Sequence, residues 1–445
     1  MTKTILILGA GRSSSSLISY LLQRAGSHDW KVRIGDADPT GARARIGSAE
    51  RSEIFHLDAS VESSVRDEIA KADLVISMLP AFMHPQVAAY CVENGKHLIT
   101  PSYVSPAMQE LDAAARKNGV LLLNEMGVDP GIDHMSAMHL FDSIKAKGGE
   151  LLSFESFTGG LISPGSDTNP WNYKITWNPR NVVLAGAGGM ARYLENNHVR
   201  FVPYHRLFSN TVPVHIDGYG DYEGYANRDS LPYRHLYGIA NIPSIYRGTL
   251  RKAGFSSAWN VLVQLGLTDD STVMDHLGDM RWSDLTASFL PVQKGKSPKE
   301  ILKNELHPDP ESMRRIEWLG IFDDLPVGIA KGTPAQALQH LIERKWKLDP
   351  DDKDMIVMSH RIEYKLQEKK IQLQSTMVCE GDDSLHTAMA KTVGLPIGIA
   401  AKMLLEGKVK LRGVQLPLDK SLYTPILDEL GQFKIIFTEN QTALQ

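Results

Sequence analysis

Two glycines, Gly9 and Gly11, flank Ala10 directly after the apolar run Ile5-Leu6-Ile7-Leu8. Leu17, Ile18, Leu21, Leu22 and Ala25 then recur at helical spacing. A strand, a glycine turn and a helix in that order can seat a pyrophosphate. The first glycine turns the chain, the second lets the backbone come close, and the helix N-terminus faces the negative charge. The third glycine of the dinucleotide fingerprint would fall at position 14, where Ser14 stands, so a strand–turn–helix without a ligand stays open. Ser13 to Ser16 add hydroxyls that suit either a phosphate or a helix cap. Asp36 and Asp38 lie about 25 residues beyond Gly11, at the end of the run starting at Val32. An acidic residue there takes a ribose 2′-OH and repels a 2′-phosphate, which favours NAD over NADP. The alternative is that both aspartates only shape the turn Asp38-Pro39-Thr40-Gly41. Arg43 and Arg45 stand close by to offset them should NADP be used.

Three further polar stretches follow apolar runs: Ser77-Met78-Leu79-Pro80, Thr100-Pro101-Ser102-Tyr103, and Asn124 to Gly131. Ligands bind outside the carboxyl ends of parallel strands, so these stretches should border a cofactor. The elements that must position them are legible. Strands are expected at Thr4 to Leu8, Val32 to Asp36, Ile54 to Leu57, Leu74 to Met78, His97 to Thr100 and Val120 to Leu123. Helices are expected between them, notably Pro85 to Asn94 and Pro106 to Asn118. Continuous apolar strands alternating with helices imply βαβ units and a parallel sheet. Beyond Pro130, residues 150–250 read as a mixed sheet with loops, 251–350 as helices, 354–380 as strands and His386 to Leu405 as a helix.

At roughly 150 residues per domain, 445 residues suggest about three structural units. Hydrophobic residues at 42% and charged residues at 22% exclude a wholly disordered chain. A net charge of −4 argues against a nucleic-acid binder that works through a basic surface. Cys91 and Cys379 alone cannot build a disulfide framework or a four-cysteine zinc site. No uninterrupted apolar run reaches the ~18 residues of a membrane span, and no signal region precedes the first strand. A cytoplasmic protein without membrane or nucleic-acid partners, and without a metal, is therefore expected.

Several motifs together resemble the saccharopine dehydrogenase family, the L-glutamate-forming type. They are Val75 to Pro80 with His84-Pro85, Ser102 to Ala107, and Gly127-Val128-Asp129-Pro130-Gly131-Ile132-Asp133-His134. Thr158-Gly159-Gly160-Leu161, Asn169-Pro170 with Tyr173-Lys174, Asn227-Arg228-Asp229-Ser230, Arg247 to Arg251 and Lys391 to Pro396 continue the series. The resemblance spans nearly the whole chain. It implies a Rossmann-type parallel-sheet domain (1–130, joined by 395–445), an α/β mixed-sheet catalytic domain (131–250 and 351–394) and a mostly helical insert (251–350). It also implies a homodimer. The implied reaction is the reversible NAD- or NADP-dependent oxidation of L-saccharopine to L-glutamate and 2-aminoadipate 6-semialdehyde, in lysine metabolism.

Carried onto this chain, the resemblance has Ala10, Gly11, Arg12 and Ser13 hold the pyrophosphate, with Gly9 opening the turn. Asp58 and Ala59 approach the adenine; Thr100, Pro101 and Ser102 flank the nicotinamide. Ser77, Met78 and Leu79 border the cofactor, Val128, Asp129 and Pro130 form a shared cofactor and substrate loop, and Thr176 touches the cofactor. Ser102, Tyr103, Asp129, Asn227, Arg228 and Asp229 bind saccharopine. Fungal members carry an arginine where Asp36 stands, so their NADP preference does not transfer.

Saccharopine has three carboxylates and two amines, so its site needs cations and donors. Arg228 suits bidentate carboxylate binding, and Arg247 and Arg251 are further candidates, the alternative for each of these two being a surface or domain-interface salt bridge. Tyr103 and Asp129 are the candidate proton-transfer residues. Asp129 could equally cap a helix starting at Gly131, and His134 and His198 read as structural. Two other functions stay open: a reductase of another carboxylated imine, of the carboxynorspermidine type, and a dinucleotide-binding protein without turnover.

Overall fold

The run Ile5 to Leu8 is wholly buried, as a strand covered on both faces must be. The computed structural model describes residues 2–47 and 50–444, without the side chains of Arg45 and Ile46, so the expectation for Arg45 lies outside the described residues. The first six strands are β1 (Lys3–Leu8), β2 (Trp30–Asp36), β3 (Ser52–His56), β4 (Leu74–Ser77), β5 (His97–Ile99) and β6 (Leu121–Leu123). There follow β7 (Glu150–Ile162), β8 (Ala191–Glu195), β9 (His198–Val202), β10 (Thr211–Ile216), β11 (Gly220–Ala226) and β12 (Ser244–Lys252). Last come β13 (Asp354–Leu366), β14 (Lys369–Glu380), β15 (Gly413–Gln415) and β16 (Phe437–Leu444).

The chain divides into two compact units. The first is Met1–Gly149 with Met377–Thr438, and the second is Glu150–Thr376 with Glu439–Gln445. The first holds a seven-stranded sheet in the order β15-β6-β5-β4-β1-β2-β3. Every pairing in it is parallel, so all the carboxyl ends lie on one edge. The expected α/β class and its parallel sheet are present. Strand β15 extends the sheet beyond β6. The helix Ala388–Leu405 packs against the helix Ser15–Ala25 through two glycines. A Cβ on Gly394 would lie 2.6 Å from the Leu17 nitrogen, and one on Gly398 would lie 2.7 Å from the Tyr20 ring. By length and composition this C-terminal helix could cross a membrane, but 78% of it is buried inside the fold.

The unit boundaries differ from those read in the sequence. The helix Ile132–Ala146 belongs to the first unit. There the Tyr423 hydroxyl, on the helix Lys420–Gly431, donates to Asp142 at 2.5 Å. The return to that unit begins at Met377, within β14. The expected helix Pro106 to Asn118 is two pieces, Pro106–Gln109 and Asp112–Lys117. Leu111 N–H bonds only three residues back, to Met108, which ends the first turn.

The second unit is built on a nine-stranded mixed sheet. Its main order is β10-β11-β12-β7-β13-β14-β16, with β8 pairing β12 and β9. Strands β7 and β12 run parallel, whereas β7–β13, β10–β11 and β11–β12 are antiparallel. The helices of the 251–350 region belong to this unit. Pro298–Leu306, Pro310–Leu319 and Pro334–Lys345 each open on proline after a side-chain cap from Ser297, Asp309 or Thr333. That pairing fills orphan N–H groups and presets the first φ, so these starts are written in the sequence.

Candidate functional site

The glycine turn sits on the carboxyl edge of the parallel sheet. Gly9 has φ +92°, and a Cβ there would stand 3.1 Å from the Met78 carbonyl oxygen. Gly11 is exposed, with nothing within 4 Å of where its Cβ would be. Neither the turn Arg12–Ser14 nor the helix Ser15–Ala25 receives a side-chain cap. The serines do not cap as expected, because Ser14 Oγ donates to the Gly11 carbonyl at 2.8 Å and Ser15 Oγ to the Leu385 carbonyl at 2.9 Å. Buried Ser14 thus closes the turn where the fingerprint has its third glycine. An open glycine, exposed Arg12, half-buried Ser13 and an uncapped helix start fit the diphosphate of a dinucleotide.

Asp36 does two things at once. Its Oδ2 accepts from Ala10 N–H at 2.6 Å, tying the glycine turn to the end of β2, and its Oδ1 accepts from Asp38 N–H at 2.7 Å. Asp38 caps the helix Pro39–Ile46 through Gly41 N–H at 2.9 Å. The turn-shaping role is therefore real for both aspartates. Arg43 donates to the Ile54 carbonyl at 3.1 Å. Asp58 is exposed after β3, where it accepts from the Ser60 N–H and hydroxyl, which hold its carboxyl below the usual range. Ala59 beside it is half-buried.

Next to the glycine turn, the ends of β4, β5 and β6 bring together a polar cluster. Met78 N–H donates to the Leu8 carbonyl at 2.8 Å and Thr100 N–H to the Leu123 carbonyl at 2.9 Å, so the edges are in register. His84 opens the helix His84–Glu93 and is only 2% exposed. Its Nδ1 lies 2.9 Å from Ser77 Oγ, and its Nε2 lies 2.9 Å from Thr100 Oγ1 and 2.8 Å from Ser102 Oγ. Burial without a compensating charge pushes its pKa down to about 4, so the ring is neutral. The sequence motif that holds this histidine, Val75 to Pro80 with His84-Pro85, assigns it no role. Its signal was a histidine seven residues past a strand-end serine. Met78, Leu79 and Pro101 are half-buried around the cluster.

Tyr103 Oη donates to Asp129 Oδ1 at 3.2 Å, so the two candidate proton-transfer residues are paired. The helix-cap reading of Asp129 fails, because the N-cap of Ile132–Ala146 is Gly131, with no side-chain cap. Only glycine fits there: φ is +147°, and a Cβ would fall 2.0 Å from the Gly127 carbonyl oxygen. Buried Val128 and Pro130 flank Asp129, with a cis peptide between Asp129 and Pro130. Glu125 supports this loop from beneath, accepting from Val104 N–H at 3.0 Å, with its other oxygen 2.7 Å from buried His134 Nε2. His134 is thereby tied to the loop through Glu125.

The second unit carries the remaining expected residues. Asn227, Arg228 and Asp229 form the loop after β11, with Arg228 exposed and at φ +56°. Three backbone bonds pin the loop: Asn227 N–H to the Arg247 carbonyl, Arg192 N–H to the Arg228 carbonyl, and Ser230 N–H to the Arg192 carbonyl, each at 2.8 Å. Asp229 is an ion-pair partner of Arg192. Arg247 and Arg251 are not surface residues, since both are buried in β12. The Arg247 guanidinium lies 4.0 Å from the Tyr233 ring centroid, and Arg251 sits among the rings of Tyr173, Phe255 and Tyr225. Thr176 is buried, and its hydroxyl has no hydrogen-bond partner among the described residues. Among the described residues no group of three or more His, Cys, Asp or Glu side chains could hold a metal ion.

These features can be set beside known proteins. Residues 5–123 match the model of the saccharopine dehydrogenase NADP binding domain, and residues 127–436 match that of the saccharopine dehydrogenase C-terminal domain. Saccharopine dehydrogenase (NADP(+), L-glutamate-forming) of Schizosaccharomyces pombe is 32% identical, over 96% of this chain and 97% of that protein. The mitochondrial alpha-aminoadipic semialdehyde synthase of Rattus norvegicus is 34% identical over 99% of this chain. The chain spans about half the length, 48%, of that rat relative. The solved apo saccharopine dehydrogenase (L-Glu forming) from Saccharomyces cerevisiae superposes with TM-score 0.88 at 29% identity, covering 99% of this chain and 100% of that one. With the glycine turn, the strand-end cluster and both family segments in one order along a shared fold, the chain belongs to the saccharopine dehydrogenase family.

Proposed function

We propose that this chain catalyses the reversible oxidation of L-saccharopine to L-glutamate and 2-aminoadipate 6-semialdehyde with NAD(P), in lysine metabolism. The observation that carries the reading is the Tyr103–Asp129 pair, set with Thr100 and Ser102 on the sheet edge that bears the glycine turn. When bound, the nicotinamide supplies the hydride chemistry. The protein's share is proton traffic and orientation. Asp129 accepts a proton from the water that adds to the carbon–nitrogen double bond. The Tyr103–Asp129 pair returns one to the nitrogen that leaves as glutamate. The Arg228 guanidinium takes a substrate carboxylate in a bidentate fork, with Asn227 beside it as a donor. Backbone around Gly9, Ala10, Gly11, Arg12 and Ser13 takes the diphosphate.

For the choice of dinucleotide, Asp36 favours NAD. The fission yeast relative is named for NADP(+), but a carboxylate at the end of β2 opposes a 2′-phosphate by charge. A homodimer in the cytoplasm completes the proposal, tested by sedimentation and cell fractionation.

The deciding experiment mixes the purified protein with L-saccharopine and either NAD or NADP and follows nicotinamide absorbance. Turnover, faster with NAD, is expected. Dinucleotide binding without turnover would overturn the substrate assignment. Turnover of carboxynorspermidine in its place would identify the other reductase reading.

A further inference from the structure

Two hydroxyls meet one ring nitrogen at the carboxyl edge of the parallel sheet. His84 Nε2 is 2.9 Å from Thr100 Oγ1 and 2.8 Å from Ser102 Oγ, while Nδ1 is occupied by Ser77 Oγ at 2.9 Å. In either tautomer of a neutral imidazole, Nε2 has one proton or one lone pair, so it makes one full hydrogen bond at a time. Thr100 is wholly buried and can only turn to neighbours within the fold, and Thr100 Oγ1 also receives Ser102 N–H at 3.4 Å. Ser102 is half-buried, so its hydroxyl is not confined to partners within the fold.

We propose that His84 is a positioning residue whose Nε2 is shared between Thr100 and Ser102, so that engaging Thr100 releases the Ser102 hydroxyl to a ligand. The inference rests on the dehydrogenase reading above and deepens it by naming what aims Ser102. His84 touches neither substrate nor cofactor and acts through Ser102. Ser77 fixes the ring from the other side, which sets the angle at which Nε2 meets the two hydroxyls.

The test compares the full-length protein with His84→Phe, His84→Gln, Ser102→Ala, Thr100→Val and the double variant His84→Phe/Ser102→Ala. His84→Phe should lower kcat roughly 10- to 100-fold, the range for loss of a residue that orients a ligand-contacting group. KM for saccharopine and the NADH Kd, read by fluorescence, should stay within about threefold. His84→Gln, which restores a donor and an acceptor, should recover part of the loss. The double variant should lose no more than the worse single variant, because both break one path. Losses that multiply in the double variant, or no recovery with glutamine, would overturn the proposal.

A second measurement is independent of turnover. In 15N-histidine-labelled protein, the His84 Nε2 resonance, assigned by its absence in His84→Phe, should move in both Thr100→Val and Ser102→Ala. A resonance that moves in only one of them, or in neither, refutes the sharing. Should the wild-type protein fail to turn over saccharopine, the substrate assignment falls alone, and this spectrum still decides whether the nitrogen is shared.

Discussion

Arg228 combines a left-handed backbone at φ +56° with three flanking backbone bonds that pin its loop. Such a conformation costs about 1–3 kcal/mol in a non-glycine residue and persists where the surroundings over-determine it. Removing one partner of a charge pair that binding desolvates costs at least about 2 kcal/mol. Arg228→Ala should therefore raise the saccharopine KM at least ~30-fold, and Arg228→Lys should fall between, since it keeps the charge without the fork. Steady-state kinetics decide it, and an unchanged KM would remove Arg228 from the site. Asp36→Ala should lower the NAD-to-NADP ratio of kcat/KM; if the ratio stays put, the carboxylate does not select the cofactor. His84 gives a pH prediction. Its folded pKa near 4 lies below the ordinary 6.5, so between those values the unfolded chain binds more protons. Stability is then full above pH 6.5 and falls as the pH drops toward 4, by up to about 3 kcal/mol from this residue. Urea unfolding at pH 7.5 and 4.5 should show this loss in the wild type and a smaller one in His84→Phe.

At the scale of elements, the close approaches of the first unit are the vulnerable points. A Cβ at Gly394 would stand 2.6 Å from the Leu17 backbone nitrogen, which cannot step aside as a flexible side chain can. Gly394→Ala should destabilise by about 1–3 kcal/mol. The shift of the urea midpoint measures it, with Gly26→Ala, where nothing lies within 4 Å, as the control. How far the sequence revealed this architecture follows from the same elements. The parallel strands were legible because each is an unbroken apolar run between polar ends. The Tyr103–Asp129 pairing was within reach, since both sit at strand ends that a parallel sheet brings to one edge. Three things were not legible. His84 acquires meaning only when β4 and β5 lie side by side and bring Ser77, Thr100 and Ser102 around its ring. Asp129 sits two residues before the capping position, a difference finer than any residue preference resolves. The burial of Arg247 and Arg251 depends on β12 lying inside its sheet, which their spacing does not reveal.

For the whole molecule, the organising fact is that the first unit is assembled from both ends of the chain. Residues 377–438 supply β15, the helix Ala388–Leu405 and the helix Lys420–Gly431. A chain ended at residue 376 should leave the Ser15–Ala25 helix and β6 uncovered and should not bind dinucleotide. A fluorescence titration with NADH tests this, and separate supply of 377–445 should restore binding. If the shortened chain binds as the full one does, the C-terminal segment is dispensable to the glycine turn.

That layout has a consequence for biosynthesis. On a ribosome, the first 149 residues emerge long before the helix that covers them, with the 227 residues from 150 to 376 translated in between. At roughly 5–20 residues per second, the apolar face of the glycine-turn helix waits about 10–45 seconds for its cover. During that interval it is a natural client for a chaperone. Slow translation through 150–376 should prolong the exposure, whereas a circular permutant that begins near residue 377 should shorten it.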